Sequence, residues 1–277
     1  MKFGFIGFGE VSYTLSKILI ALDFEVLTSL EGRSKDTIDL ARSLDLTILD
    51  SYEDVSRQSD VLISANSPAI ALDIANKYGS LTDGIFLDFN NISPSTVFEI
   101  ETLLSDEHFI DSAIFGRVSS NELNIFLSGK RAQELLDNVK NQVHYKNDIL
   151  IDKTDLKINI KVISDRIGDV SKLKMLRSYY TKGVSALLIE TFETAQKLGL
   201  DNELWDVLAL TENRDFKESS KSRINSSYVF SKRKFEELDE LLNFLDDVYD
   251  VNDGIGSQIL AKAIRDKFEY LFKNSEK

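Results

Sequence analysis

Two groups of residues carry most of the chemistry available to this chain. The first is Gly7-Phe8-Gly9-Glu10-Val11-Ser12, directly after the apolar run Phe3-Gly4-Phe5-Ile6. Glycines two apart let the backbone turn sharply out of a strand and let a pyrophosphate come close to bare backbone. The helix that follows offers unpaired N–H groups and the positive end of its dipole to an anion. Ser12 stands where the usual fingerprint has its third small residue, which admits close packing of helix on strand. A string of this kind is informative only between a strand and a helix, and that is where this one lies. Gly7, Phe8, Gly9, Glu10 and Val11 are therefore cofactor-binding candidates. The second group is Lys174, Ser178, Thr181, Lys182 and Ser185, which recur at spacings that put them on one stripe of a helix. A lysine followed by small hydroxyls suits the floor of a polar cavity, and equally an ordinary exposed helix face.

Composition narrows what these groups can be part of. With 277 residues, 43% of them hydrophobic, the chain has the make-up of an ordinary globular protein of one large or two moderate domains. It contains no cysteine, which removes disulfides, thiolate metal ligands and cysteine nucleophiles. Its two histidines, His108 and His144, are too few and too far apart to suggest zinc, so no metal is expected. A net charge of −13 repels nucleic acid and anionic membrane. No apolar run approaches the roughly 20 residues that span a bilayer, and the first segment reads as a strand and turn instead of a signal peptide, so the expected location is the cytoplasm.

The elements that must position the two groups alternate between strand and helix. Residues 2–6 read as a buried strand, 13–22 as a helix and 25–28 as a second strand. Beyond that strand, Thr28-Ser29 and Arg33-Ser34 occupy the place where dinucleotide folds choose between NAD and NADP. Hydroxyls plus an arginine suit a 2′-phosphate, so Ser29, Arg33 and Ser34 favour NADP, with Glu31 the dissenting residue and NAD the less favoured cofactor. Residues 36–43, 51–58 and 69–78 read as helices, and 47–49, 60–64 and 84–88 as strands. Asn66, Asn90 and Asn91 follow two of those strands, where their side chains either close turns or face a ligand, and Asn66 and Asn90 join the cofactor-binding candidates. Strands at 108–117 and 124–128, a helix at 133–143 and a period-2 strand at 156–164 complete the α/β half. Beyond Gly168 the periodicity is helical to the end. The expected architecture is a doubly wound, mostly parallel Rossmann domain over residues 1–165 and an all-α domain over 166–277, with a ligand at their interface.

Read in order, the glycine turn, the Asn90-Asn91-Ile92-Ser93-Pro94 loop, the Asp111-Ser112-Ala113-Ile114-Phe115-Gly116 segment and Gly168 followed by Lys174-Met175-Leu176-Arg177-Ser178 resemble the β-hydroxyacid dehydrogenase superfamily. That superfamily includes 3-hydroxyisobutyrate dehydrogenase and 6-phosphogluconate dehydrogenase. The resemblance covers essentially the whole chain, and Lys182-Gly183 suits an uncharacterised branch with its own helical C-terminal domain. It implies that Lys174 is the catalytic lysine, and that Ser178 stands where the family has a substrate-orienting Asn. In the substrate loop, Phe115 removes a hydroxyl and Arg117 adds a charge, which puts the usual small hydroxyacid in doubt. Asn91, Phe115, Gly116, Arg117 and Lys182 are the implied substrate contacts.

The function expected is an NADP-dependent oxidoreductase moving a hydride between nicotinamide and a small, anionic, hydroxyacid-type substrate, with Lys174 as general acid/base and Ser178 beside it. Two other functions fit the same residues. One is a non-catalytic NADP-binding sensor or structural protein, the other an imine-type reductase. The basic residues Lys217, Lys221, Arg223, Lys232, Arg233 and Lys234 read either as a charge-balanced surface or as a clamp for a substrate anion. Broad apolar faces on the last helices suggest a homodimer formed through them.

Overall fold

The computed structural model describes residues 1–116, 118, 122–142, 145–146, 149–151, 157–212, 215–248 and 258–275. The α/β part begins with β1 (Lys2–Ile6), α1 (Glu10–Ala21), β2 (Glu25–Ser29), α2 (Lys35–Arg42), β3 (Thr47–Leu49) and α3 (Tyr52–Gln58). It continues through β4 (Val61–Ser64), α4 (Ala71–Tyr78), β5 (Ile85–Asp88), α5 (Pro94–Leu104), β6 (Phe109–Phe115), β7 (Glu122–Ser128) and α6 (Ala132–Gln142). β8 (Tyr145–Lys146), β9 (Ile149–Ile151) and β10 (Lys157–Ser164) close it. The strands form one sheet in the order β3-β2-β1-β4-β5-β6-β7-β10-β9-β8. β3 through β6 in that order are parallel, β7 runs against β6, and β10 pairs parallel to β7. The first six strands have the Rossmann order, and the crossover from β1 to β4 makes a crevice at their carboxyl ends.

The central strands are continuous apolar runs because both faces of the sheet are covered. Side chains alternate between two cores. Phe3, Phe5, Ile63 and Leu87 pack with Leu15 and Ile18 of α1 and Leu135 of α6, while Ile6, Leu62 and Phe86 pack with Val55, Ala71, Val97 and Ile100 of α3, α4 and α5. Ser51, at the start of α3, and Ser93, at the start of α5, accept hydrogen bonds from Asp54 N (3.1 Å) and Thr96 N (3.3 Å), so both helices begin on a hydroxyl cap. The two- and three-residue strands β8 and β9 did not show in the sequence, since alternation needs more residues than they have.

Beyond the sheet come α7 (Asp169–Leu198), α8 (Asp201–Glu212), α9 (Phe216–Val229), α10 (Ser231–Val248) and α11 (Ile259–Ser275). The chain separates into two compact units, Met1–Ser178 and Tyr179–Lys277. The division expected at residue 165 precedes α7, whereas the contacts divide the chain within that helix. In the second unit, the Glu190 carboxylate accepts from Leu260 N (3.0 Å) and Ala261 N (2.9 Å), holding the start of α11. Phe192 packs on Trp205 with centroids 4.0 Å apart. No described helix is long and apolar enough to cross a membrane.

Candidate active site

At the end of β1 the backbone turns through Gly7 with φ +90°, a conformation that favours glycine. A Cβ there would come within 2.2 Å of Asn66 Oδ1. The turn is tied on both sides: Ser12 Oγ donates to Gly7 O (2.9 Å), and Asn66 Nδ2 donates to Ile6 O (2.6 Å). Gly9 is exposed, and a Cβ built on it would meet nothing within 4 Å, so the backbone ahead of α1 is open to approach. Glu10 is exposed in the first turn, Val11 is half-buried, and Phe8 is buried edge-on against Phe5 with centroids 6.3 Å apart. Of these candidates Phe8 offers a ligand backbone only. An open glycine at a helix N-terminus fits a pyrophosphate.

At the end of β2, Thr28 and Ser29 are fully buried. Thr28 Oγ1 donates to Phe5 O (3.1 Å), and Ser29 Oγ donates to Asp50 O (3.4 Å) while accepting from Glu31 N (3.3 Å). The Ser34 hydroxyl caps α2, accepting from Thr37 N (3.4 Å). Glu31 is exposed and Arg33 half-buried. Arg33 Nε donates to Tyr52 Oη (2.7 Å), and its guanidinium lies 5.1 Å from the centroid of that ring. Burial raises the pKa of the Tyr52 hydroxyl, and Arg33 and the nearby Gly7 backbone oppose the shift. Tyr52 was not among the residues singled out from the sequence.

Asn66 and Asn90 belong to one network at the carboxyl edge. Asn90 Oδ1 accepts from Asn66 N, and Asn90 Nδ2 donates to Ser64 Oγ (2.8 Å) and Asp88 Oδ2 (2.6 Å), while Asn90 N donates to Asp88 Oδ1 (2.8 Å). Asn90 is buried with its amide committed to the protein, and Asn66 braces the glycine turn. Both side-chain amides are thus bonded within the protein. Asn91 is exposed.

Asp88 and Asp111 are paired neighbours on β5 and β6, each 1% exposed. Ser112 Oγ donates to Asp88 O. Asp111 Oδ2 accepts from Ser171 N (2.9 Å) and Ser128 Oγ (3.4 Å), and Asp111 Oδ1 accepts from Ser171 Oγ (2.7 Å). A carboxylate on the sheet thus grips the first turn of α7, where the helix dipole favours negative charge. Lys174 stands one turn further along, half-buried. Burial lowers its pKa, as does Arg177, and the charges of Asp88 and Asp111 oppose the shift. Burial in turn raises Asp111 and pushes Asp88 up to about 7, against the pull of the Asn90 donors. The arrangement holds a lysine and two desolvated carboxyls in one electrostatic group, the kind of setting in which protons move near neutral pH. Asp88 and Ser171 escaped sequence reasoning, and Asp111 entered it only as part of the Asp111–Gly116 segment; for Asp88 a polar residue ending a buried strand was the signal.

Ser178 lies half-buried on α7. The side chain of Lys182, though its backbone is helical, lies outside the described residues, as does Arg117. Phe115 packs against Phe126 of β7 with centroids 4.6 Å apart, and Gly116 is exposed with φ +112°. Part of the basic surface pairs locally, Arg223 with Glu212 (2.7 Å) and Arg233 with Glu237 (2.9 Å), while Lys234 donates to Ser226 and Ser227 (both 3.1 Å). Those contacts match the charge-balanced reading of the basic cluster.

No family model matches the chain. It is 40% identical over 245 residues, 88% of its length and 91% of the relative's, to the "Uncharacterized 28.5 kDa protein in 7S RNA 5'region" of Methanothermus fervidus. Among solved structures it is 39% identical, over 99% of both chains and with a TM-score of 0.64, to a conserved protein of unknown function whose structure revealed similarity with 3-hydroxyacid dehydrogenases. An imine reductase from Myxococcus stipitatus, solved in complex with NADP+, shares the fold at 14% identity, covering 99% of this chain and 95% of that one with a TM-score of 0.69. A variant of that enzyme was solved with NAD+. The chain belongs to the family of the Methanothermus fervidus protein and the conserved protein of known structure, within the β-hydroxyacid dehydrogenase superfamily.

Proposed function

We propose that the protein is an NADP-dependent oxidoreductase acting on a small anionic substrate of the hydroxyacid type. The observation that carries this reading is the placement of Lys174, half-buried and coupled to Asp88 and Asp111, at the sheet edge that also bears the glycine turn. Gly7, Gly9, Glu10 and Val11 would hold the pyrophosphate, and Arg33 and Ser34 the 2′-phosphate. When bound, the cofactor supplies the redox chemistry. The chain supplies proton transfer: Lys174 Nζ takes the substrate hydroxyl proton during oxidation and returns it during reduction, and Ser178 assists in orienting the substrate. Asn91, Gly116, Arg117 and Lys182 are the proposed substrate contacts, with Phe115 shaping the wall.

NADPH turnover measured against a panel of hydroxyacids, ketoacids and imines tests the reading. Turnover with a hydroxyacid or ketoacid supports it, and turnover confined to imines replaces it with the second reading, a C=N reductase, which the shared fold of the Myxococcus stipitatus enzyme favours. Turnover of nothing on the panel favours the cofactor-binding sensor.

Cofactor choice is checked separately. Arg33→Ala is expected to weaken NADPH by about 1.5–3 kcal/mol, the worth of a charged hydrogen bond, and NADH hardly at all. Equal losses for both cofactors in a calorimetric titration would remove the NADP assignment.

The reading includes a homodimer formed through the helical unit. Leu210 (81% exposed), Val229 (71%) and Phe216 (64%) leave that unit with apolar surface of the kind that isologous interfaces bury. Light scattering is expected to give the mass of two chains; a monomer at every concentration refutes the dimer.

A further inference from the structure

Tyr52 has two roles that packing alone does not explain. Its ring is buried in the core edge-on to Tyr78, with centroids 5.8 Å apart, and this would be served equally by phenylalanine. Its hydroxyl, however, receives Arg33 Nε at 2.7 Å and lies near the Gly7 backbone. Arg33 comes from the loop after β2 and Gly7 from the turn after β1, so one oxygen on α3 joins the two places where the proposed cofactor is held. The Nε bond leaves both terminal nitrogens of Arg33 without a protein partner among the described residues. A guanidinium anchored through Nε, its carbon 5.1 Å from the centroid of the same ring, keeps its two-nitrogen edge for an anion, and a phosphate accepts that edge bidentately.

We propose that Tyr52 is a positioning residue for cofactor discrimination, its hydroxyl pre-setting Arg33 for the phosphate that distinguishes NADP from NAD. The inference rests on the NADP reading above. An unanchored arginine loses its rotamer freedom when it binds, whereas an anchored one has lost it already, so removing the hydroxyl lowers phosphate affinity without removing the charge.

The test is a calorimetric double-mutant cycle with NADPH and NADH on wild type, Tyr52→Phe, Arg33→Ala and the pair. Tyr52→Phe is expected to weaken NADPH about five- to tenfold and NADH less than about twofold, and to add nothing in the Arg33→Ala background. Equal weakening of both cofactors means the hydroxyl serves only the glycine turn and overturns the proposal, as do an unchanged NADPH affinity and losses that add in the double variant. If Arg33→Ala leaves the NADPH-to-NADH ratio untouched, the NADP reading itself has failed and takes the proposal with it. A selective Arg33 effect beside an inert Tyr52→Phe overturns the proposal alone.

Discussion

Lys174→Ala is expected to lower turnover at least a hundredfold while leaving NADPH affinity within about threefold, or roughly 0.6 kcal/mol. The large effect follows from where the lysine sits. Burial lowers its pKa, the direction a proton-transferring amine needs, and the charges of Asp88 and Asp111 act on it there. The small effect follows from the cofactor's proposed seat on the turn after β1, which Ser12 and Asn66 brace independently of α7. Single-turnover and binding measurements on the same variant separate the two quantities. Wild-type turnover in the variant would make Lys174 structural, and a loss confined to cofactor affinity would move its role to binding.

The second large effect is on stability. In the unfolded chain Asp88 ionises at its ordinary 3.8, whereas the folded protein holds the proton to about 7. Between those values the native state binds a proton that the unfolded state has lost. Asp88's contribution to stability is therefore fully present below about pH 4, declines as pH rises, and is gone above about pH 7. The displacement corresponds to roughly 4 kcal/mol across that window. Burial shifts Asp111 in the same direction, which adds to the slope. Asp169 has the opposite sign: Lys172 and the other donors around it hold its pKa at about 2, so the stability it contributes is lost only at lower pH. Urea titrations from pH 4.5 to 7.5 should show wild-type stability falling with pH and Asp88→Asn showing a much shallower fall. An Asp88→Asn slope equal to that of wild type would place the titrating group elsewhere.

The glycine turn, the alternation of strand and helix and the long helix bearing Lys174 were legible because their signals are local: two glycines between an apolar run and a helix, and a period that changes after Gly168. Lys174 itself was singled out by its resemblance to a family motif, since its spacing is one that an exposed stripe would share. The part played by Asp88 and Asp111 was not legible until their partners were known: Asp88 ends β5 and looks like any turn residue, and Asp111 entered only as one letter of a motif. The partner of Asp111 is Ser171, 60 positions away. Tyr52 is separated from Arg33 by 19 positions and reads as the first core residue of a helix. For Asn66 and Asn90 the sequence left open a turn or a ligand, and only the placement of Ser64 and Asp88 beside them shows what their amides hold.

The grip of Asp111 on Ser171 also bears on how this gene can change length. Each residue of an α-helix advances the direction of its side chain by about 100°, so one codon inserted between Ser171 and Lys174 would swing the amine to a different side of the rod while the anchor stayed put. A deletion would do the same in the other sense. Substitutions at the two residues of that interval, Lys172 and Leu173, preserve the lysine's bearing, whereas frame-preserving indels destroy it, and lineages that retain the lysine's role should therefore vary there in letters but never in number.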